Sequence, residues 1–535
     1  MAIVALALLA GCGGTPPSRA PLGSPPSTVA SLTVGVADDP GSALNIFKGQ
    51  QTFDPLVDLV YDKLLSPSPY VDEPQPGLAT AATMLDPSSW QVTLRTGVTW
   101  QDGQPFTADD VKFTYDYYRT SKPNRYSHHV NHVPTIDRID VVDARTVRFH
   151  CAYPCPEAGA ITFADLPILP KHVWQNVSDP GTFTGLPVGT GPYRLVDYQP
   201  GQLLRFDANP SYFGGRPRVD RLVMPIISDP NTMFTAVKTG EIDVADLPVP
   251  PELLGSLGST PGIGMVQSSP LTAVVIRVNF KRSPFDQPAA RAALSMGIDR
   301  QKLVDTVLLG HGRPGTLGYP HPDSPWAKPG LAQPYDPAGA RRALDTLGFV
   351  DRNDDAVRDR PDGSPLEFTL QVAGTDPLEV RAAQLVAESL AAIGIRIDVR
   401  PTDTGTIRSL LGSGDYDLYV DRGYAHELAD VDQFVMSNKS GLLWSETVPY
   451  PEWDALWTQW QATTSVEERK QVTFEMEDLF NRQPTALVLW YPEEHWAFRT
   501  SAWDDWADTR GNGIVTKWSF LPAAARDGRV VANLR

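Results

Sequence analysis

Cysteine is scarce in this chain, with three residues in 535, at Cys12, Cys151 and Cys155. No zinc-type pattern can be assembled from them, because a second pair is missing. Positive charge is also short: 46 Lys and Arg stand against 63 Asp and Glu, a net charge of −17. A polyanion needs concentrated basic residues, so no nucleic-acid partner is expected. Beyond the first residues there is no long apolar run, and the run from Ala2 to Ala10 falls short of the roughly 20 residues that span a bilayer. Several catalytic signatures are missing as well. There is no GxSxG elbow and no HExxH pair, and the GTG at Gly189 to Gly191 lacks the Lys and Ser or Thr of a nucleotide loop. Neither a cofactor nor a metal is expected. Paired glycosidase carboxylates meet only in a fold, so an exported hydrolase of peptides or glycans stays as the alternative class.

The short apolar run ends at Leu9-Ala10-Gly11-Cys12, which resembles a bacterial lipobox with Cys12 as the acylated residue. Residues 1–12 then read as a signal peptide, although no basic residue precedes Ala2 as the pattern would have it. Residues 13–30, rich in Pro, Ser and Gly without apolar periodicity, read as a disordered tether. Together they imply an extracytoplasmic protein held by lipid on the outer face of the cell membrane. In that oxidising setting Cys151 and Cys155 are expected to close a small disulfide loop, buried free thiols being the alternative.

About 500 residues follow the tether, too many for one core, so at least two lobes are expected. Short β-type runs alternate with helical ones, which predicts an α/β protein. Strand patterns lie at 32–37, 146–151, 203–207, 221–227, 273–279, 367–372, 396–400 and 487–491. Helical patterns lie at 56–64, 232–239, 288–296, 338–347, 377–393 and 466–480. One stretch carries more than propensity. From Val92 to Tyr118, a strand leads through turns at Gly97 and Asp102-Gly103 into a helix that opens at Thr107. The Thr107 hydroxyl is expected to accept an orphan amide, with Asp109 and Asp110 at the positive end of the helix.

That order of elements resembles the signature of the peptide/nickel class, family 5, of extracytoplasmic solute-binding proteins of ABC importers, the class of the dipeptide- and oligopeptide-binding proteins. The likeness continues through Pro187 to Tyr193 (PVGTGPY), Asn209 to Phe213, Ala236 to Val244, Asn279-Phe280 with Pro284 to Asp286, Arg291 to Leu303, and Tyr335-Asp336-Pro337 to Gly348-Phe349. It implies a two-lobed, periplasmic-binding-protein-like (Venus-flytrap) α/β fold with an inserted subdomain. Lobe I would be discontinuous, residues 31–270 plus 487–535, and lobe II would span 271–486, with crossings near Leu271 to Asn279 and Pro484 to Tyr491. Capture of a small solute by hinge closure, and delivery to a permease with its ATPase, are implied. Short peptides are the expected ligand, with oligosaccharides or nickel complexes as alternatives.

Tyr416 to Phe434 resembles the family's ligand-contacting stretch, in which a Gly-Trp pair is followed by an Asp that holds the peptide ammonium. Here Gly423-Tyr424 replaces Gly-Trp, Glu427 stands for the Asp, and Asp430-Val431-Asp432 replaces Asp-Pro-Asp. Glu427, Tyr424, Gly423, Arg422 and Asp430 are therefore the candidate ligand residues, joined by Asn279 and Tyr126. A solvated acidic loop, with Arg422 neutralising Glu427, is the competing reading. Three further constellations are weighed on their residues. His128, His129 and His132 read as polar or cleft-edge groups before metal ligands. Asp351 to Asp362 reads as a solvated turn before a calcium loop, since Ala356 replaces the required Gly. Trp453, Trp457 and Trp460 read as a packed stripe before a sugar platform.

Overall fold

The computed structural model describes residues 28–47, 54–122, 126–318, 320–423, 431–440 and 450–523. Helix starts follow directly from the sequence. Asp229, Asp336 and Asp376 each precede a proline that opens a helix, and each side chain accepts a backbone N–H of the first turn. Proline tolerates that position because its missing N–H would be an orphan there anyway. Thr107 forms a capping box with Asp110: its side chain accepts the Asp110 backbone N–H, as expected, and the Asp110 carboxylate accepts the Thr107 N–H at 2.8 Å.

The first lobe is built on a seven-stranded sheet in the order Ile263–Ser268, Glu494–Arg499, Val244–Asp246, Leu32–Val36, Arg221–Pro225, Leu203–Ala208, Tyr193–Gln199. Leu32, Val34 and Val36 are buried on one face and Gly35 on the other, where a Cβ would stand 2.6 Å from Ile242, so this central strand is covered on both sides. A four-stranded antiparallel sheet, Ala79–Asp86, Ser89–Leu94, Thr146–Cys151, Ile136–Asp143, forms the inserted subdomain and shares one apolar core with the larger sheet. The two sequence landmarks clasp each other at this junction. The Gln101 N–H donates to the Gly189 carbonyl at 2.9 Å, and its side-chain amide donates to Gly191 and Tyr193. Gly189 has to be glycine: a Cβ there would stand 1.8 Å from the Val60 carbonyl oxygen.

The second lobe carries a six-stranded sheet in the order Gly312–Pro314, Ala486–Pro492, Ala273–Val278, Leu418–Gly423, Glu367–Ala373, Arg396–Thr402. The strand Ala486–Pro492 is held there by its neighbour Ala273–Val278. Two buried arginines add to this, Arg291 donating to the Pro484 carbonyl and Arg300 to that of Val488. The expected boundary at 487 is therefore corrected: the chain re-enters the first lobe only after Pro492, where Glu494–Arg499 joins the seven-stranded sheet. The outward passage lies between Ser268 and Ala273. The two passages run side by side, since Ser268 pairs with Glu494 in one sheet and Val274 with Trp490 in the other. The returning chain is anchored by Lys517, whose ammonium lies 3.3 Å from the buried Asp62 carboxylate.

The lobes also touch through an apolar patch. Val133 and Ile161 of the inserted subdomain pack in one cluster with Phe434, Trp453, Trp457 and Trp460 of the second lobe. Beside it, Arg469 pairs with Glu157, both side chains sealed from solvent, donates to the Pro154 carbonyl, and stacks 3.9 Å above the Trp460 ring.

Candidate functional site

The passage between lobes is where the candidate ligand stretch begins. Gly423 ends its strand opposite Ala273, the first strand residue after the outward passage. Tyr424, Glu427 and Asp430 follow immediately and lie outside the described residues. Arg422 is described, and two acids of a neighbouring helix are among its partners. It forms ion pairs at 3.0 Å with both Asp376 and Glu379, at the start of the helix Pro377–Ala391. Burial pushes the Glu379 carboxyl up, and Arg422 partly offsets that.

The first lobe supplies two more acids to this neighbourhood. Burial pushes the Glu494 carboxyl up to about 7, with Arg422 lowering it and Asp508 raising it further. Asp508 is raised by burial too, against the effects of Ser268 and Arg510, and its Oδ1 is buried with no hydrogen-bond partner among the described residues. Among the described residues, Asp376 and Glu379 pair with Arg422, Glu494 feels its charge, and Asp508 adjoins Glu494 with Arg510 as its cation. A cationic head entering here would relieve the desolvation that holds Glu379, Glu494 and Asp508 toward their neutral forms. Sequence reading missed Glu494 and Asp508. The available signal was the Glu493-Glu494 pair standing directly after an apolar strand run, at a point where the chain changes lobe.

The remaining candidates separate from this site. Asn279 is buried at the opposite end of its strand from Ala273, about 20 Å away at roughly 3.3 Å per residue. Its amide donates to the Gly414 and Tyr416 carbonyls and its Oδ1 accepts the Lys281 N–H, so it pins a turn. Tyr126 is a core residue of the first lobe, edge-on to Tyr118. Neither belongs with a ligand pocket at the passage.

Cys151 and Cys155 are joined, Cα to Cα 6.4 Å; the bridge shapes the loop that presents Pro154 and Glu157 to Arg469. His129 is buried against Asp165, Nε2 to Oδ2 2.9 Å, its ring 3.8 Å from that of His128. In the Asp351 loop the Asp351 carboxylate accepts the backbone amides of Asn353, Asp354 and Ala356, a self-contained turn. The three tryptophans are buried, as a packed stripe requires.

Comparison with known proteins accords with the two-lobed fold. The family described as bacterial extracellular solute-binding proteins, family 5 Middle, matches residues 73–442. Protein XP55 of Streptomyces lividans is 32% identical over 383 residues, 69% of this chain and 66% of that protein. The glutathione-binding protein GsiB of Salmonella choleraesuis is 30% identical over 331 residues, 61% of each. The chain thus matches just under two thirds of the length of these relatives. Among solved structures, the oligopeptide-binding protein AppA from Bacillus subtilis in complex with a nonapeptide superposes with a TM-score of 0.77 at 23% identity, over 89% of this chain and 95% of that one.

Proposed function

Because the chain belongs to the bacterial extracellular solute-binding proteins of family 5, we propose that it is the capture component of an ABC importer, closing over short peptides and delivering them to a permease driven by an ATPase. One observation carries this reading: the stretch Gly423 to Asp430 begins at the strand end bordering the passage between lobes, beside an excess of carboxylates over Arg422. A carboxylate in a closing cleft is disfavoured until a cation joins it, so ligand binding and closure are coupled. The α-ammonium of a peptide is such a cation, and its extended backbone offers donors and acceptors to a cleft wall without regard to side chains. In this reading the Glu427 carboxylate meets the ammonium, Tyr424 lines the pocket, and the ligand leaves unaltered. Cys12 carries the lipid that holds the protein outside the membrane.

Mass spectrometry of protein purified gently from its own host, without denaturation, is expected to find co-purified peptides. Incubation with labelled tripeptides and with labelled oligosaccharides is expected to return intact peptide in complex. Cleaved product overturns the capture reading, and retention of sugar alone overturns the peptide assignment. Small-angle scattering is expected to show compaction on saturation with peptide.

A further inference from the structure

The strand that re-enters the first lobe presents different chemistry on its two faces. Side chains alternate along a strand, so Glu493 and His495 share one face while Glu494 takes the other. On the Glu493 face, His311 arrives from the second lobe, just ahead of its edge strand Gly312–Pro314. One donor atom from each of His311, Glu493 and His495 lies within 4.8 Å of the others. The His311 Nδ1 is 3.7 Å from Glu493 Oε2, the two imidazole rings meet edge to face at 5.3 Å, and the His495 Nε2 is buried without a hydrogen-bond partner among the described residues. The set is oriented from outside. Gln267, which pairs with His495 across the sheet, donates its amide to Glu493 Oε1, and the Glu493 N–H points at the His311 carbonyl at 3.4 Å.

We propose that His311, Glu493 and His495 form a binding site for a borderline divalent transition-metal ion of the zinc type, bridging the two lobes at their passage. Two imidazoles and one carboxylate suit such an ion and do not suit calcium or magnesium, which take oxygen donors. Tetrahedral zinc at about 2.0–2.1 Å from each ligand sets its donors roughly 3.3 Å apart, so small side-chain rotations complete the set. Glu493 and His311 are partly open to solvent, leaving a position for water and a route of entry. The ligands come from both lobes and the link between them, so a bound ion fastens the angle at which the lobes meet. This site faces away from Glu494 and is separate from the peptide cleft proposed above.

The test is a titration of tag-free, full-length protein, stripped with a chelator and free of peptide, with Zn2+ against a chromophoric competitor. A single ion per chain is expected. His311→Ala and His495→Ala are each expected to weaken it at least about tenfold, a loss that even an outer-shell partner can produce. Saturating Zn2+ should raise the melting temperature of the parent and not of these variants. Melting in chelator identifies any variant that is simply misfolded, and His495→Gln then replaces it. No zinc uptake by the parent, or uptake unaltered in either histidine variant, overturns the site. Since no peptide is present, protein that captures peptide but ignores zinc refutes this inference alone.

Discussion

The two lobes meet in two places of opposite character. At the tryptophan patch the charges are paired: Glu157 and Arg469, both sealed from solvent, neutralise each other, and Trp460 covers the guanidinium. At the passage, acids outnumber cations and one Asp508 oxygen has no described partner. Among the described residues the first contact balances its charges and the second does not. A binding protein needs both, a surface that knows how to close and a surface that has something left to bind.

The largest way to break this contrast is at the patch. Arg469→Ala removes one partner of a buried pair and leaves the other charge unpaired, which is expected to destabilise by about 3–5 kcal/mol. Replacing both, Glu157→Gln with Arg469→Met, should recover much of that, and urea unfolding midpoints will show whether it does. At the passage, Glu427→Gln is expected to weaken a peptide with a free amino terminus by roughly 1.5–3 kcal/mol if the charge-assisted bond forms. Calorimetry reads this directly, and unaltered affinity would remove Glu427 from the site.

Glu494 sharpens the comparison through pH. Its folded carboxyl is raised to about 7 from the ordinary value of 4.5, so its stabilising contribution is full below about 4.5 and fades as pH climbs through 7. Thermal melts from pH 5 to 8 should show a decline on the order of 1–2 kcal/mol that Glu494→Gln flattens. Binding of a cationic ligand should move oppositely, strengthening over the same interval as the carboxyl ionises. The smallest effect concerns the residue excluded from the site: Asn279→Ala is expected to lower stability by about 1 kcal/mol through the turn carbonyls it leaves unpaired. Its peptide affinity should match the parent's.

Much of the framework was legible because local chemistry wrote it. The strand at 146–151 and the helix starts at Asp336 and Asp376 follow from alternation and capping, which act over a few residues. The second passage was misplaced because Ala486 to Tyr491 is buried on both faces; such a run has no period to reveal which sheet it joins. The family pattern marks the stretch from Gly423, which begins at the strand end beside the passage. Arg422 finding Asp376 and Glu379, or Glu494 standing near Asp508, depends on residues brought together by the sheets, and no spacing in the chain announces them. Asn279 misled because a buried amide beside a strand end serves a turn as readily as a ligand.

The pairing of Ser268 with Glu494 and of Val274 with Trp490 has a mechanical consequence. Two attachments held about one strand spacing apart, roughly 4.8 Å, define a line. Rotation about that line changes a handful of backbone torsions, whereas sliding or screwing one half past the other would shear the ladder bonds that bind the attachments together. The gross motion is thereby reduced to a single degree of freedom, and one well-chosen interatomic distance is enough to track it.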